Sequence, residues 1–257
     1  MVAVRIEAVK SATERRELLK AVYDEAHECV ACPLHETRTT VVFGAGNADA
    51  DLMFIGEAPG ANEDKLGLPF VGQAGKLLEK LLVEIGLQRA DVFIANTLKC
   101  RPPDNRNPYP HELASCQHWL FSQLELIQPT MVCTLGNFAT KLLRGEPVGI
   151  SKIHGQEEVR TIGPRAVRLY PLYHPAAALY TPSTLEMLRA DFLRIPEILK
   201  LGPPPQSEPT QRADAVEPVT GAPGEEPNSE KQFVAPALPD RPADPVLTVS
   251  DEQLGLF

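Results

Sequence analysis

Three polar side chains with catalytic chemistry follow short apolar runs of the sequence. Glu57 directly follows one such run, Asn96 ends a second, and His174 comes just after a third. A carboxylate can place or activate a water, an amide can pair with a polar edge in two directions, and an imidazole can donate to developing negative charge. Each also has a structural interpretation, as a carboxylate that accepts loop N–H bonds, a turn-forming asparagine or a histidine satisfied by the backbone.

Four of the five cysteines have the spacing of a metal site. Cys29 and Cys32 form a C-x2-C pair, Cys100 comes shortly after an apolar run, and Cys116 lies in the next helical segment. Thiolates bind zinc or an iron–sulfur cluster, and the spacing does not choose between them. The alternative is that Cys116 is a core residue and the pair is incidental. Cys133 stands among apolar residues, which indicates a small buried side chain.

The acidity of the chain comes mostly from its C-terminal part. The 257 residues carry a formal net charge of −9, but residues 201–257 hold ten of the 34 acidic and only three of the 25 basic side chains. The same stretch holds 11 of the 25 prolines and few aromatic residues, a composition that indicates disorder. We therefore expect one globular domain at 1–201 and a disordered tail at 202–257. The near-neutral domain leaves nucleic acid open as a partner.

The sequence predicts neither a membrane span nor a secretory signal. No run of about 18 apolar residues is present, and the first 20 residues are charged and lack an apolar segment. We expect no membrane association and a cytoplasmic location. Thiols stay reduced in that compartment, which favours metal ligation over disulfides.

Apolar runs alternate with segments of helical periodicity along the domain. Strands are predicted at 51–56, 91–96, 130–136 and 167–172, and helices at 11–28, 74–85, 110–127, 137–143 and 184–201. This alternation predicts an α/β fold, a three-layer αβα sandwich with a four-stranded, mainly parallel sheet. Ligands bind at the carboxyl ends of the strands in such sheets, so Glu57, Asn96 and His174 should meet in one crevice.

Six ordered motifs in this framework resemble those of the family 4 uracil-DNA glycosylases, which carry a [4Fe–4S] cluster. They are Cys29-Val-Ala-Cys32-Pro33-Leu34, Gly56-Glu-Ala-Pro-Gly60 with Glu63-Asp64, Gly67-Leu-Pro-Phe70-Val-Gly72, Asn96-Thr-Leu-Lys-Cys100-Arg-Pro-Pro103, Leu135-Gly136 and His174-Pro-Ala-Ala177. The resemblance covers roughly residues 25–200. It implies a uracil-DNA glycosylase-like αβα fold and a hydrolase of base excision repair that leaves an abasic site. It also implies that Cys29, Cys32, Cys100 and Cys116 hold the cluster.

The chemistry of uracil excision suggests a role for several of these residues. Uracil inside a duplex is inaccessible, so the enzyme must flip the base into a pocket. His174 can donate to O2 as negative charge develops on the base. Asn96 can pair with O4 and N3–H. The resemblance places Phe70 as the stacking face and Glu57 in the catalytic-water motif.

Two further pocket residues are implied by the resemblance. Glu63 corresponds to the side chain that closes the pocket near C5 and excludes the methyl group of thymine. Ala58 stands where another glycosylase family has an aspartate, and alanine cannot act as a base. We therefore expect water placement to depend on Glu57 or on backbone groups, since the sugar cation is itself strongly electrophilic.

Five residues are candidates for DNA contact. Lys99, Arg101 and Arg106 flank the Pro102-Pro103 loop, and Lys152 lies in a second polar loop. We predict that these cations contact phosphates, although for any one of them alone a solvated face is the simpler interpretation. Leu179, shortly after His174, is the predicted wedge that fills the vacated stack.

The last five residues have a pattern of their own. Gln253, Leu254, Leu256 and Phe257 resemble the pentapeptide by which bacterial repair and replication proteins bind the sliding clamp. A tether of about 50 disordered residues would raise the local concentration of the enzyme at the clamp. The alternative is a chance apolar terminus. The motif favours a bacterial, nucleoid-associated protein, and we expect a monomer.

Two other functional interpretations stay open on the sequence. One is a non-catalytic, metal-stabilised DNA-binding adaptor tethered to the clamp, an interpretation that Ala58 permits. The other is a glycosylase with a wider range of deaminated bases, which the pocket residues do not exclude.

Overall fold

A twisted sheet between two layers of helices makes up the part of the chain that this computed structural model describes, residues 11–206. The strands are β1 Ala45–Gly46, β2 Leu52–Gly56, β3 Phe93–Asn96, β4 Met131–Leu135, β5 Glu158–Ile162 and β6 Arg165–Leu172. The helices are α1 Ala12–His27, α2 Ala61–Leu66, α3 Gln73–Glu84, α4 Pro110–Ile127, α5 Asn137–Arg144, α6 Ile150–Ile153, α7 Pro175–Ala178 and α8 Pro182–Leu199. Short 3-10 turns lie at Pro33–Glu36, Arg89–Asp91 and Pro103–Asn105.

The predicted αβα architecture is confirmed, but the predicted strand number is wrong. The sheet has six strands in the order β1-β3-β2-β4-β6-β5. The central four are parallel, as predicted, and β1 and β5 pair antiparallel at the two edges. Strand β1 is only two residues long, and β5 alternates half-buried with exposed residues. Neither edge strand therefore contains the apolar run that marks a buried strand in sequence.

Alternate residues of each central strand pack into two separate cores. In β2, Met53 and Ile55 belong to the core beneath α1 and α4, while Leu52 and Phe54 belong to the core beneath α3 and α8. The period of two in the strand thus matches the two helical layers. Burial on both faces explains why these strands are apolar throughout.

The long helices begin and end near their predicted bounds for local reasons. The α1 helix starts at a capping box in which Ser11 and Glu14 bond reciprocally to each other's backbone N–H. In α3, the leucines at helical spacing are the buried ones, namely Leu78, Leu81 and Leu82. The α4 helix has proline at its first position, where no N–H is needed.

The strand order creates a switch point at the carboxyl end of β2. From β2 the chain passes to β3 on one side, and β4 lies on the other side. Helices that leave these strands in opposite directions open a crevice at that edge of the sheet. The segments that begin at Glu57, Thr97, Gly136 and Tyr173 therefore surround one space.

The chain remains attached to the domain beyond the predicted boundary at 201. The Gln206 side chain accepts from Ala166 N at 3.1 Å and donates to Ala166 O at 2.9 Å, and Arg168 Nε donates to Gly202 O at 2.8 Å. The rest of the predicted tail, 207–257, with its clamp-like pentapeptide, lies outside the described residues. Within residues 11–206 the structure has no helix of the length and apolarity that crossing a membrane requires.

Candidate active site

A glycine at the end of β2 allows the predicted base-binding residues to meet. Gly56 pairs with Asn96 across β2 and β3. A Cβ atom on Gly56 would lie 2.4 Å from Asn96 Oδ1 and 2.7 Å from Phe70 Cζ, so no larger residue fits there. The Phe70 ring in turn stacks near the His174 ring, with centroids 5.7 Å apart and an angle of 28° between the planes. The structure therefore brings Asn96, Phe70 and His174 together around Gly56 at the carboxyl end of β2.

Asn96 presents an unpaired amide in a buried position. The residue is 2% exposed, and the hydrogen bonds of the described residues leave its side-chain amide without a partner. The backbone beyond it is fixed, because Thr97 N donates to Gly56 O and Leu98 N donates to Glu57 O, both at 3.0 Å. A buried amide on a fixed backbone is suited to pair with a ligand edge.

His174 is a neutral hydrogen-bond donor at pH 7. Burial lowers the pKa of its imidazole to about 4, although the charge of Glu63 acts in the opposite direction. Nδ1 accepts from Ala176 N at 3.1 Å at the start of α7. The proton of the neutral ring therefore lies on Nε2, which is free to donate to a ligand.

Glu57 is a partly buried acid whose carboxyl group is not used by the loop. Burial raises the pKa of the Glu57 carboxyl to about 7, and the described residues donate no hydrogen bond to it. Only the Glu57 backbone carbonyl is engaged, by Leu98 N at 3.0 Å and Thr97 Oγ1 at 2.5 Å. This environment does not support the structural interpretation of Glu57 as a carboxylate that accepts loop N–H bonds. Its neighbour Ala58 packs against the core beneath α1 and α4.

Glu63 lies between the two loops that border the crevice. Its Oε1 accepts from Val71 N at 2.9 Å and from Gly72 N at 3.0 Å, and Oε2 would lie 2.8 Å from a Cβ atom on Gly60. The carboxylate therefore fixes the loop that carries Phe70. Its predicted role in excluding the thymine methyl group stays a prediction.

Sequence reasoning missed Arg89, which supports the same loop from the other side. Its guanidinium donates to the carbonyl groups of Pro69 and Phe70. Arg89 follows α3 in an ordinary polar stretch and is separated by 19 residues from Phe70. No local motif signals this contact, because it depends on how α3 folds back against the loop.

The predicted contact of Lys99 with DNA is wrong. Lys99 is 2% exposed, and its ammonium donates to Asn96 O at 2.9 Å and to Gln123 Oε1 at 2.6 Å. Gln123 is held in turn by its donation to Phe43 O at 2.8 Å. A side chain enclosed beneath α4 cannot reach a phosphate. Lys99 instead supports the strand end that carries Asn96.

The other predicted DNA contacts lie at the surface. Arg101 is half-buried and Lys152 is exposed, while Leu179 is 37% exposed just after α7. Arg106 is partly committed, since its guanidinium binds both oxygens of Glu112, at 2.9 and 2.5 Å. These four positions stay predictions, and the ion pair makes Arg106 the weakest phosphate ligand among them.

The four cysteines of the predicted metal site line one cavity. Cys29, Cys32, Cys100 and Cys116 surround it as free thiols, while Cys133 is buried in the opposite core as predicted. In residues 11–206 no three His, Cys, Asp or Glu side chains meet as closely as a single ion requires.

Arg38, which the sequence did not connect with the cysteines, borders the same cavity together with Lys99. Arg38 Nη1 donates to Cys29 O at 2.6 Å and contacts Cys100 Sγ at 3.5 Å, and Lys99 N contacts Cys116 Sγ at 3.3 Å. Burial raises the pKa of the Cys100 thiol, and that of Cys116 to about 12. Thiolates at these positions therefore need a bound cation, and the donor set of four sulfurs fits zinc or an iron–sulfur group.

Comparison with known proteins agrees with this arrangement. A sequence model of the uracil DNA glycosylase superfamily matches residues 43–197. The chain is 45% identical to a type-4 uracil-DNA glycosylase of Archaeoglobus fulgidus over 187 residues, which are 71% of this chain and 94% of the relative. It is 44% identical to that of Saccharolobus solfataricus over 72% of this chain and 88% of the relative. For that of Thermotoga maritima the identity is 46%, over 64% and 85%. The chain therefore belongs to the uracil-DNA glycosylase superfamily, and within it to the type-4 group.

Proposed function

We propose that this protein removes uracil from DNA by hydrolysis of the N-glycosidic bond, which leaves an abasic site for base excision repair. The observation that carries the proposal is the meeting of Asn96, Phe70 and His174 in one crevice around Gly56. The relatives named type-4 uracil-DNA glycosylase, which match along most of their own length, support the same activity.

The pocket is suited to recognise uracil by its edge. An extruded base that stacks on Phe70 would direct O4 and N3–H toward the Asn96 amide. The amide donates to O4 and accepts from N3–H, so both hydrogen bonds are satisfied. Cytosine has an amino group at position 4 and no proton on N3, so an amide in the orientation that suits uracil would face two mismatched groups.

His174 is suited to stabilise the departing base. As the bond between the base and C1′ breaks, its electron pair moves onto the base and negative charge grows at O2. The Nε2–H of a neutral imidazole can donate a hydrogen bond to that oxygen. The pKa of about 4 ensures that the ring is neutral near pH 7.

Glu57 is the group best placed to direct the water that attacks C1′. Its carboxyl group is free of loop hydrogen bonds and follows β2 at the crevice. In its ionised form it can accept the proton that the water loses as the new C–O bond forms. Ala58 contributes no acid–base group, and Glu63 closes the pocket near C5 in this proposal.

DNA is held around the crevice by charge and by a wedge. Arg101, Arg106 and Lys152 contact phosphates, with a smaller contribution from Arg106 because of its ion pair with Glu112. Leu179 fills the position that the flipped base vacates. Lys99, being buried, has no part in this surface.

The cysteine cavity is the site of a [4Fe–4S] cluster in this proposal. Cys29, Cys32, Cys100 and Cys116 would be its ligands, and the cationic groups of Arg38 and Lys99 lie close enough to offset its negative charge. When bound, the cluster joins the end of α1 to α4 and to the segment after β3 by metal–sulfur bonds. It has a structural role and no redox step in the reaction.

The tail is proposed to carry the enzyme to the replication machinery. Gln253, Leu254, Leu256 and Phe257 would bind the sliding clamp of a bacterial cell, and the protein would act as a monomer in the cytoplasm at the nucleoid. The support is the sequence motif at the end of a polar, proline-rich segment. Attachment through a segment of about 50 residues would raise the effective concentration of the enzyme at the clamp.

The uracil activity is tested by alkali-labile nicking of a single-uracil oligonucleotide. Loss of the O2 donor in His174→Ala should reduce the single-turnover rate by about 10²–10³-fold. His118→Ala, an exposed histidine of α4 outside the crevice, should retain the full rate. Absence of nicking by the unmodified protein would favour the adaptor interpretation. Equal release of hypoxanthine would favour a glycosylase of wider range.

The pH dependence of the single-turnover rate tests the role of Glu57. The carboxyl is ionised only above its pKa of about 7, so the rate should rise with pH through that value. His174 stays neutral above pH 5 and should add no second inflection there. The matched variant Glu57→Gln should give a lower rate without the rise near pH 7. The same inflection in both proteins would exclude Glu57 as its source.

The cluster is tested by absorption near 400 nm together with iron and zinc analysis of the purified protein. We expect a brown iron protein. Cys100→Ala should lose its colour, its iron and part of its thermal stability, while Cys133→Ala should keep the colour because Cys133 lies in the opposite core. A colourless protein that contains zinc would contradict the assignment, as would a cluster-free variant with full uracil excision.

The clamp motif is tested by deletion of residues 253–257. Binding to a bacterial sliding clamp, measured by surface plasmon resonance, should disappear, while excision from a free oligonucleotide stays unchanged. Gly255→Ala alters only the unspecified position of the motif and should preserve binding. Clamp binding that survives the deletion would end the proposal.

A further inference from the structure

The loop that carries Phe70 has a backbone conformation that must be imposed by its surroundings. Phe70 has φ of +55°, in the left-handed region that residues with bulky side chains rarely adopt. Its carbonyl oxygen presses on the first turn of α3, where a Cβ atom on Gly75 would lie only 1.7 Å away. Strain of this kind persists only where neighbouring groups hold the backbone in place.

Two oppositely charged side chains hold this loop from its two sides. Glu63 accepts from the N–H groups of Val71 and Gly72, which follow Phe70. Arg89 donates through Nη1 to Phe70 O at 3.1 Å and through Nη2 to Pro69 O. The carboxylate thus binds the amides and the guanidinium binds the carbonyls, so the peptide groups on both sides of Phe70 are fixed.

Arg89 is itself held away from the crevice. It lies in the 3-10 turn after α3, and its Nη1 is 3.4 Å from Glu79 Oε1 on the outer side of that helix. Its side chain is 26% exposed. The contacts of Arg89 with the loop are made to main-chain oxygens, and its charge also interacts with Glu63, which binds the same loop.

The Phe70 ring is closely packed and has little room to tilt. The ring packs against the space above Gly56, at 2.7 Å from the site of a Cβ atom, and it stacks near His174. A small rotation of the peptide groups beside Phe70 would tilt the ring and change its overlap with a flipped base. Base–aromatic stacking is sensitive to such a change because its energy comes from face-to-face contact.

We propose that Arg89 is a positioning residue for base recognition, which fixes the stacking face of Phe70 by binding the two carbonyl groups beside it. This inference rests on the proposed role of Phe70 in uracil binding. The planar guanidinium fork reaches both carbonyls at once, which an ammonium group does not do with the same geometry.

The test separates base stacking from general stability by the use of two products of the reaction. Inhibition by free uracil reports the base pocket, whereas the affinity for abasic-site DNA involves no base. Arg89→Met should weaken inhibition by free uracil by about tenfold, because base–aromatic stacking contributes that order of magnitude. Affinity for abasic-site DNA should stay within about twofold, since that ligand has no base to stack on Phe70.

Three further variants complete the experiment. Arg89→Lys keeps the charge and should give an intermediate effect, which decides the matter if Arg89→Met does not fold. Glu79→Gln removes only the exposed ion pair and should match the unmodified protein, as surface ion pairs contribute little. In a Phe70→Ala background, Arg89→Met should cause no additional loss of uracil inhibition, because the ring that it positions is gone.

The outcomes distinguish this inference from the proposed function. If Phe70→Ala leaves uracil inhibition unchanged, the assigned role of Phe70 is wrong. If Phe70→Ala weakens inhibition but both Arg89 variants do not, only the role of Arg89 is wrong. Equal weakening of uracil and abasic-site DNA by the Arg89 variants would show that Arg89 acts on stability alone and would overturn the inference.

Discussion

The tight packing around Gly56, where the main chain meets two side chains, is the constraint on which the rest of the site depends. At Gly56 there is no room for even one methyl group, because the Asn96 amide and the Phe70 ring occupy the space from two directions. The parallel pairing of β2 with β3 sets one of these approaches, and the loop before α3 sets the other. Gly75, Glu63 and Arg89 all act on that loop, so several distant residues serve a single contact.

The same enclosure determines which protonation states the site can use. Burial favours the neutral forms of both residues, so it lowers the pKa of His174 to about 4 and raises that of Glu57 to about 7. A neutral imidazole can donate a hydrogen bond to the departing anion. The low polarity of the site strengthens that hydrogen bond. Desolvation therefore sets the protonation states of both groups. Among the described residues, no charged partner is bonded to either side chain.

Much of this organisation could be predicted from the sequence because it depends on local patterns. Leucines at helical spacing predicted α3, and apolar runs predicted the central strands. The carboxyl ends of parallel strands lie at one edge of the sheet, so the grouping of the residues that follow them was predictable too. The edge strands β1 and β5 could not be predicted, since one is too short and the other too polar to differ from a loop. The burial of Lys99 was also hidden, because its acceptor Gln123 comes from a helix 24 residues further along. Arg89 was missed for the same physical reason, that long-range contacts leave no periodic trace.

The hydrogen bonds of Gln206 determine where the chain departs from the sheet. They attach it to Ala166, near the amino end of β6, whereas His174 follows the carboxyl end of the same strand. At about 3.3 Å per residue, the six residue steps from Ala166 to Leu172 separate the two ends by roughly 20 Å. Gln206, the last described residue, and the base-binding crevice thus lie at opposite rims of the sheet, so the anchoring of this segment and the binding of the base use separate parts of the domain.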